Sequence, residues 1–142
     1  MEARAIHSDG ARNHALEIEA KYAVLDPETS KALIPLSHIA GYRVQIGETQ
    51  QIQDTYMDTP DRRLMAAGYA CRLRHNGDTS RIDLKGLGTS EGAVHRREEV
   101  STTVDATAFT DPHNWRVSDV RERILALGDG QKLVELFEIR QE

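Results

Sequence analysis

The side chains best able to do chemistry in this sequence are charged and recur two residues apart: Glu17 with Glu19 and then Lys21, Arg72 with Arg74, Arg81 with Asp83 and Lys85, and Arg97 with Glu99. Two carboxylates on one side of an extended chain can share a hard divalent cation, because such ions take oxygen ligands. Two guanidinium groups at the same spacing present forked N–H donors that match phosphate oxygens. A spacing of two is the period of a β-strand, so the members of each set share a face. No Ser-His-Asp order with a nucleophile elbow accompanies them, which leaves acyl transfer without support.

The elements that must position these residues read as an antiparallel sheet. From residue 16 onward, short alternating segments are separated by clusters of Gly, Asn, Asp and Pro, which predicts about six strands near 16–24, 51–58, 69–75, 80–87, 94–102 and 132–140. Asn76-Gly77-Asp78 is a hairpin signal, and Gly86, Gly88 and Gly92 read as a longer flexible loop. The first 14 residues read as a tail, and 15–142 as one domain. Three helices interrupt the strands. The first is capped by Asp26, followed by Pro27, and should break at Pro35; the second starts at Thr59-Pro60-Asp61, carries Leu64 inward and stops at Gly68. The third has Asp119 as cap and Glu122 three residues on, with Val120, Ile124 and Leu127 on one face and Gly128 after its end.

Strand alternation then sorts the charges. Glu17, Glu19 and Lys21 oppose Leu16, Ile18, Ala20 and Tyr22; Arg72 and Arg74 oppose Cys71 and Leu73; Arg81, Asp83 and Lys85 oppose Ile82 and Leu84; Glu138 and Arg140 oppose Phe137 and Ile139. The run HRREEV is charged on both faces, with Arg97 and Glu99 on one and Arg96 and Glu98 on the other, so its register is open. One reading of this pattern is a sheet packed on its apolar face, with a solvated ionic face laced by cross-strand ion pairs. The other is a sheet that closes on its ionic face, where the enclosed charges need a balancing partner such as a metal-bound polyphosphate.

Composition removes other classes. The chain has 142 residues, 39% of them hydrophobic and 29% charged, with a mean hydropathy of −0.55, which suits one soluble domain. No stretch approaches the roughly 20 apolar residues of a membrane helix, and the N-terminal run lacks the apolar centre of a signal peptide. A cytoplasmic address and no membrane partner are the expectation. The single cysteine, Cys71, forms no internal disulfide or thiolate zinc cluster and reads as a small buried hydrophobe. A net charge of −5 argues against a general nucleic-acid surface. Gly86-x-Gly88 lacks the Gly-Lys-Ser/Thr of a phosphate loop, and the six histidines show no metal-ligand spacing, so His95 reads as a surface or satisfied residue. Trp115 reads as a packing anchor and Tyr56 as structural.

Glu17-Ile18-Glu19-Ala20-Lys21 matches the ExExK motif of the CYTH superfamily, the triphosphate tunnel metalloenzymes. It is joined in order by Tyr56-Met57-Asp58-Thr59-Pro60 with Leu64 and Gly68, by Arg72-Leu73-Arg74, by Leu84-Lys85-Gly86 and by Arg97-Glu98-Glu99, so that nearly the whole chain from Leu16 resembles this family, in the bacterial form often followed by a phosphate-binding CHAD helical domain. The resemblance implies a mainly β (α+β) fold in which eight antiparallel strands form a barrel-like tunnel with packing helices. About six of those strands are legible here, and the sequence stops within the last. The expectation is therefore a C-terminally truncated domain whose open edges pair with a second chain by dimerisation or strand exchange.

For the site, the resemblance implies that Glu17, Glu19 and Glu99 hold Mg2+ or Mn2+, and that Lys21, Arg72, Arg74, Lys85 and Arg97 cradle a triphosphate. Glu17, Glu19 and Lys21 would form the catalytic set, and Arg140, on the last strand, would face inward. Asp83 departs from the small hydroxyl residue usual there. The implied activity is metal-dependent hydrolysis of inorganic triphosphate or an organic triphosphate. The alternatives are a CYTH-type adenylyl cyclase making cyclic AMP from ATP, and a non-catalytic module binding polyphosphate or nucleotide.

Overall fold

The computed structural model describes residues 2–5, 14–45, 47–105, 107 and 109–141. In chain order the elements are β1 (Glu2–Ala5), β2 (His14–Lys21), α1 (Pro27–Leu33), β3 (His38–Ile39), β4 (Tyr42–Arg43), β5 (Ile52–Asp58), α2 (Arg63–Ala66), β6 (Tyr69–Asn76), β7 (Thr79–Gly86), β8 (Thr89–Glu91), β9 (Val94–Thr103), a single 3-10 turn (Pro112–Asn114), α3 (Asp119–Leu127) and β10 (Val134–Gln141). Eight strands form one sheet in the order β1-β2-β9-β7-β6-β5-β10, with β8 paired to β9, and every pairing in it is antiparallel. Among the described residues its end strands, β1 and β10, do not bond to each other, so the sheet curves into an open trough.

All the strands expected from alternation are present. The structure adds a strand at Glu2–Ala5, in the stretch read as a tail, which pairs with β2, and places His14 at the start of β2; residues 1 and 6–13 of that stretch lie outside the described residues. It also adds the short β3–β4 hairpin, and β8 inside the segment read as a flexible loop. That loop is ordered by close approach. Gly88 has φ +68, and a Cβ there would lie 2.3 Å from the Arg96 carbonyl and 2.6 Å from the Arg97 Cβ, so only glycine lets the chain fold back onto β9.

Local polar chemistry fixes the helix ends. Asp26 accepts the Thr29 N–H at 2.7 Å and Pro27 opens α1, as the sequence predicts. The second helix starts later than predicted, at Arg63. The buried Asp58 accepts the N–H groups of Thr59, Leu64 and Met65 at 2.7, 2.9 and 3.0 Å, while the Thr59 hydroxyl accepts from Arg63 at 2.9 Å. These bonds hold the intervening residues as a turn, with Arg62 at φ 61. The third helix is capped by Ser118, whose hydroxyl accepts the Arg121 N–H at 3.3 Å; Asp119, predicted as the cap, is its first helical residue.

The core lies on the convex face. Met57, Cys71, Leu73, Ile82, Leu84 and Val100 project from the strands against Leu64 of α2, Val120 and Ile124 of α3, and Trp115 and Leu133. Burying each large aliphatic chain there contributes about 1.5–3 kcal/mol. Burial also pushes the Cys71 thiol well up, so it behaves as the small hydrophobe the sequence predicts. The helices do not cover the flanks of the sheet: Leu16 and Ile18 on β2 remain exposed. Among the described residues no helix is long and apolar enough to cross a membrane.

Candidate functional site

The alternate residues of the same strands face the concave side and are charged. They surround a cavity of about 290 Å³ lined by Glu17, Glu19 and Lys21 of β2, Arg97 of β9, Lys85 of β7, Arg72 and Arg74 of β6, Asp54 and Tyr56 of β5, and Gln141 of β10. Strand register puts opposite charges directly across from one another at Glu17–Arg97, Lys85–Glu99, Arg72–Asp83 and Asp54–Arg74.

One end of the trough is rich in glutamates. Glu17 accepts from Arg97 Nε at 2.6 Å and from Lys85 Nζ at 3.4 Å, and Lys85 also reaches Glu99 at 2.9 Å. Glu19, only 4% exposed, pairs with the half-exposed Lys21 at 3.0 Å and with Arg97 Nη2 at 3.5 Å. Burial alone would raise the Glu17 carboxyl, but the Arg97 hydrogen bond and the charge of Lys85 outweigh it and hold its pKa at about 2. Glu17 is therefore ionised at any pH near neutrality.

The other end is built on arginine forks. Arg74 grips Asp54 with two parallel bonds, Nε and Nη2 each at 2.7 Å. Arg72 donates to Asp83 through Nη2 at 2.6 Å and Nε at 3.1 Å and turns Nη1 toward Asp54 at 3.5 Å, while Arg81 Nε lies 2.7 Å from the other Asp83 oxygen. Desolvation opposes ionisation of Asp54, yet its bond from Arg74 and the charge of Arg72 carry its pKa below the usual value. The bond to Asp54 in turn raises Arg74. Asp54 and Asp83 thus hold the two guanidinium groups in place at the wall of the cavity.

Of the residues the sequence singles out, Glu17, Glu19, Lys21, Arg72, Arg74, Lys85 and Arg97 are brought together at this cavity, and Glu99 stands buried behind Lys85. The open register of HRREEV resolves: Arg97 and Glu99 face the trough, Glu98 meets Tyr69 and Arg123 on the helix side, and Arg96 points outward. Arg140 is not in the site. A β-bulge between Glu135 and Phe137 shifts the pairing of β10 on β5 by one residue, which turns Phe137, Ile139 and Gln141 toward the trough. Glu138 and Arg140 face away, where Arg140 Nε donates to Glu138 at 2.6 Å.

Three cavity residues escaped the sequence reading: Asp54, Tyr56 and Gln141. The first two were accessible, because the period of two applied to β5 puts Asp54 and Tyr56 on one face. Tyr56, read as structural, is a wall of the cavity. His95 is half-buried and stands opposite Glu19 in the β2–β9 register.

Whether the site suits a divalent cation rests on its donors. Glu17, Glu19 and Glu99 offer only carboxylate oxygen, the ligand type that magnesium and manganese prefer, and they converge on Lys85 and Arg97 from adjacent strands. The donor chemistry fits, although among the described residues no three acidic, His or Cys side chains are already gathered as a cage.

The CYTH domain family model matches residues 15–142 of this chain. No curated protein matches it. Among solved structures, a candidate adenylate cyclase from Bacillus halodurans aligns with a TM-score of 0.57 and 19% identity over 91% of this chain, a likeness of fold. This chain spans 63% of the length of that structure.

Proposed function

The chain belongs to the CYTH domain family, and from that premise we propose that its trough binds a triphosphate together with magnesium or manganese and hydrolyses it. The observation that carries the reading is the gathering of Glu17 and Glu19 with Lys85, Arg72, Arg74 and Arg97 around one cavity on the concave face. Fixed guanidinium groups and an ammonium can bind the phosphate oxygens and offset charge as it develops, with little reorganisation. Glu17, Glu19 and Glu99 would hold the cation, which when bound neutralises phosphate charge and polarises the phosphoryl group. Lys21, half-exposed beside Glu19, is placed to orient a water or a terminal phosphate oxygen. Attack of that water on the terminal phosphorus forms one P–O bond and breaks the bridging one, giving phosphate and diphosphate.

The test is phosphate release from inorganic triphosphate with Mg2+ or Mn2+, run beside Glu19→Gln. Metal-dependent release, lowered about 100-fold or more by the substitution, supports the hydrolase. Cyclic AMP and diphosphate from ATP would replace it with a cyclase, and stabilisation by triphosphate without turnover would replace it with a binding module.

A further inference from the structure

The glutamate-rich end of the trough carries an imidazole beside its carboxylates. In the β2–β9 register Glu17 stands across from Arg97, and Glu19 directly across from His95. Opposed residues of antiparallel strands share a face, so His95 lies on the concave side with Arg97 and Glu99, while Arg96 and Glu98 on the other side pair with Glu91 and Arg123. Opposed residues also have Cβ atoms about 4.5–5.5 Å apart, close enough for a carboxylate and an imidazole to meet one ion. On its other flank β9 pairs with β8, which sets Ser90 opposite His95. The charged neighbours of His95 are all engaged: Glu17 with Arg97 and Lys85, Glu99 with Lys85, and Glu19 with Lys21 and Arg97. Its own ring is half-buried and takes part in no hydrogen bond or ion pair among the described residues. His38, His75 and His113, by contrast, each bond through a ring nitrogen, to Ser37, Ser80 and the Gly130 carbonyl.

We propose that His95 is a nitrogen ligand to the cation held by Glu17 and Glu19, and that it biases the site toward manganese over magnesium. The inference rests on the cation-binding reading of the trough and carries it from which ions fit to which ion is favoured. Carboxylates alone do not separate the two, since both ions take oxygen ligands. Magnesium dehydrates reluctantly and keeps several waters, so an imidazole offers it little, whereas first-row transition ions accept imidazole nitrogen. The bland role for His95 is packing in the trough wall. That role leaves its unbonded ring nitrogens unexplained, because a polar group removed from water without a partner costs free energy that a ligand bond would offset.

The experiment titrates the whole chain with Mn2+, following loss of the free-ion electron paramagnetic resonance signal, and then displaces the bound ion with Mg2+. The unsubstituted chain should favour Mn2+ over Mg2+ by about tenfold or more, and the bound Mn2+ should show a pulsed-resonance coupling to an imidazole nitrogen. His95→Gln should lower that preference about tenfold, the lower end of what changes around a metal site cost, and should abolish the coupling. His95→Asp, which supplies an oxygen donor instead, should hold both ions without the coupling. Absence of nitrogen coupling in the unsubstituted chain, a coupling that survives His95→Gln, or an equal loss of affinity for both ions overturns the ligand role while leaving the carboxylate site intact. Failure of the unsubstituted chain to bind either ion overturns the cation-binding reading, and the ligand role with it.

Discussion

The two faces of β6 and β7 are made by neighbouring residues and have opposite economies. Leu73, Ile82 and Leu84 are completely covered by α2 and α3 and their surroundings, whereas Arg72, Arg74, Asp83 and Lys85 are held one residue away by ion pairs alone. The apolar face is finished: its partners are part of the chain. The ionic face is held in place, because each guanidinium or ammonium leans on a carboxylate that fixes its position at the cavity wall. Buried ion pairs add little net stability over apolar packing, since desolvation offsets most of their attraction. Stability therefore resides mainly in one face and geometry in the other.

The sharpest way to break that division is Asp83→Ala. Asp83 is fully buried, and its loss strands Arg72 and Arg81 without their shared carboxylate; the expected cost is about 3–5 kcal/mol, read from the denaturant midpoint. Leu73→Ala should cost about 2–5 kcal/mol by leaving a cavity. It should leave the Kd for triphosphate unchanged in the folded protein, and a matching change in Kd would show that the faces are not separable. The acid limb is a milder probe. Glu17 and Asp54 have folded-state pKa values below their unfolded ones. Their stabilising contribution is thus complete above about pH 4.5 and is lost as pH falls toward the Glu17 value of about 2. The thermal midpoint should drop across that window, and Glu17→Gln should flatten the drop. The smallest effect is expected for Arg140→Ala, outside the trough and paired only at the surface: under about 0.5 kcal/mol, with no change in triphosphate affinity by calorimetry.

Much of this was legible in the sequence because the strand period is rigid. Alternation alone separated Arg72 and Arg74 from Cys71 and Leu73, and the ordered motifs marked Glu17, Glu19, Lys21, Lys85 and Arg97, all of which meet at one cavity. The failures have local causes. Arg140 was assigned inward from its charge and its place on the last strand, and the bulge that turns Phe137, Ile139 and Gln141 inward instead leaves no mark in residue types. The late start of α2 follows from Asp58, whose carboxylate reaches forward to Leu64 and Met65, contacts that a cap rule limited to three residues does not anticipate. The short β8 depends on Gly88 meeting β9, a tertiary approach that in sequence reads only as flexibility. Asp54 was overlooked because β5 has no basic residue and no acid two positions from Asp54, so it gives no charge pattern until its Arg74 partner is placed across from it.

The extra residue in β10 has a consequence of another kind. Were Leu136 to take a rung of the ladder opposite Tyr56, Phe137 and Ile139 would rotate outward and Glu138 and Arg140 would rotate in. Whether that wall of the trough is aromatic or ionic is thus decided by counting, not by composition. A change elsewhere in the strand or its turn that moved the bulge would exchange one wall for the other with no substitution among the wall residues themselves.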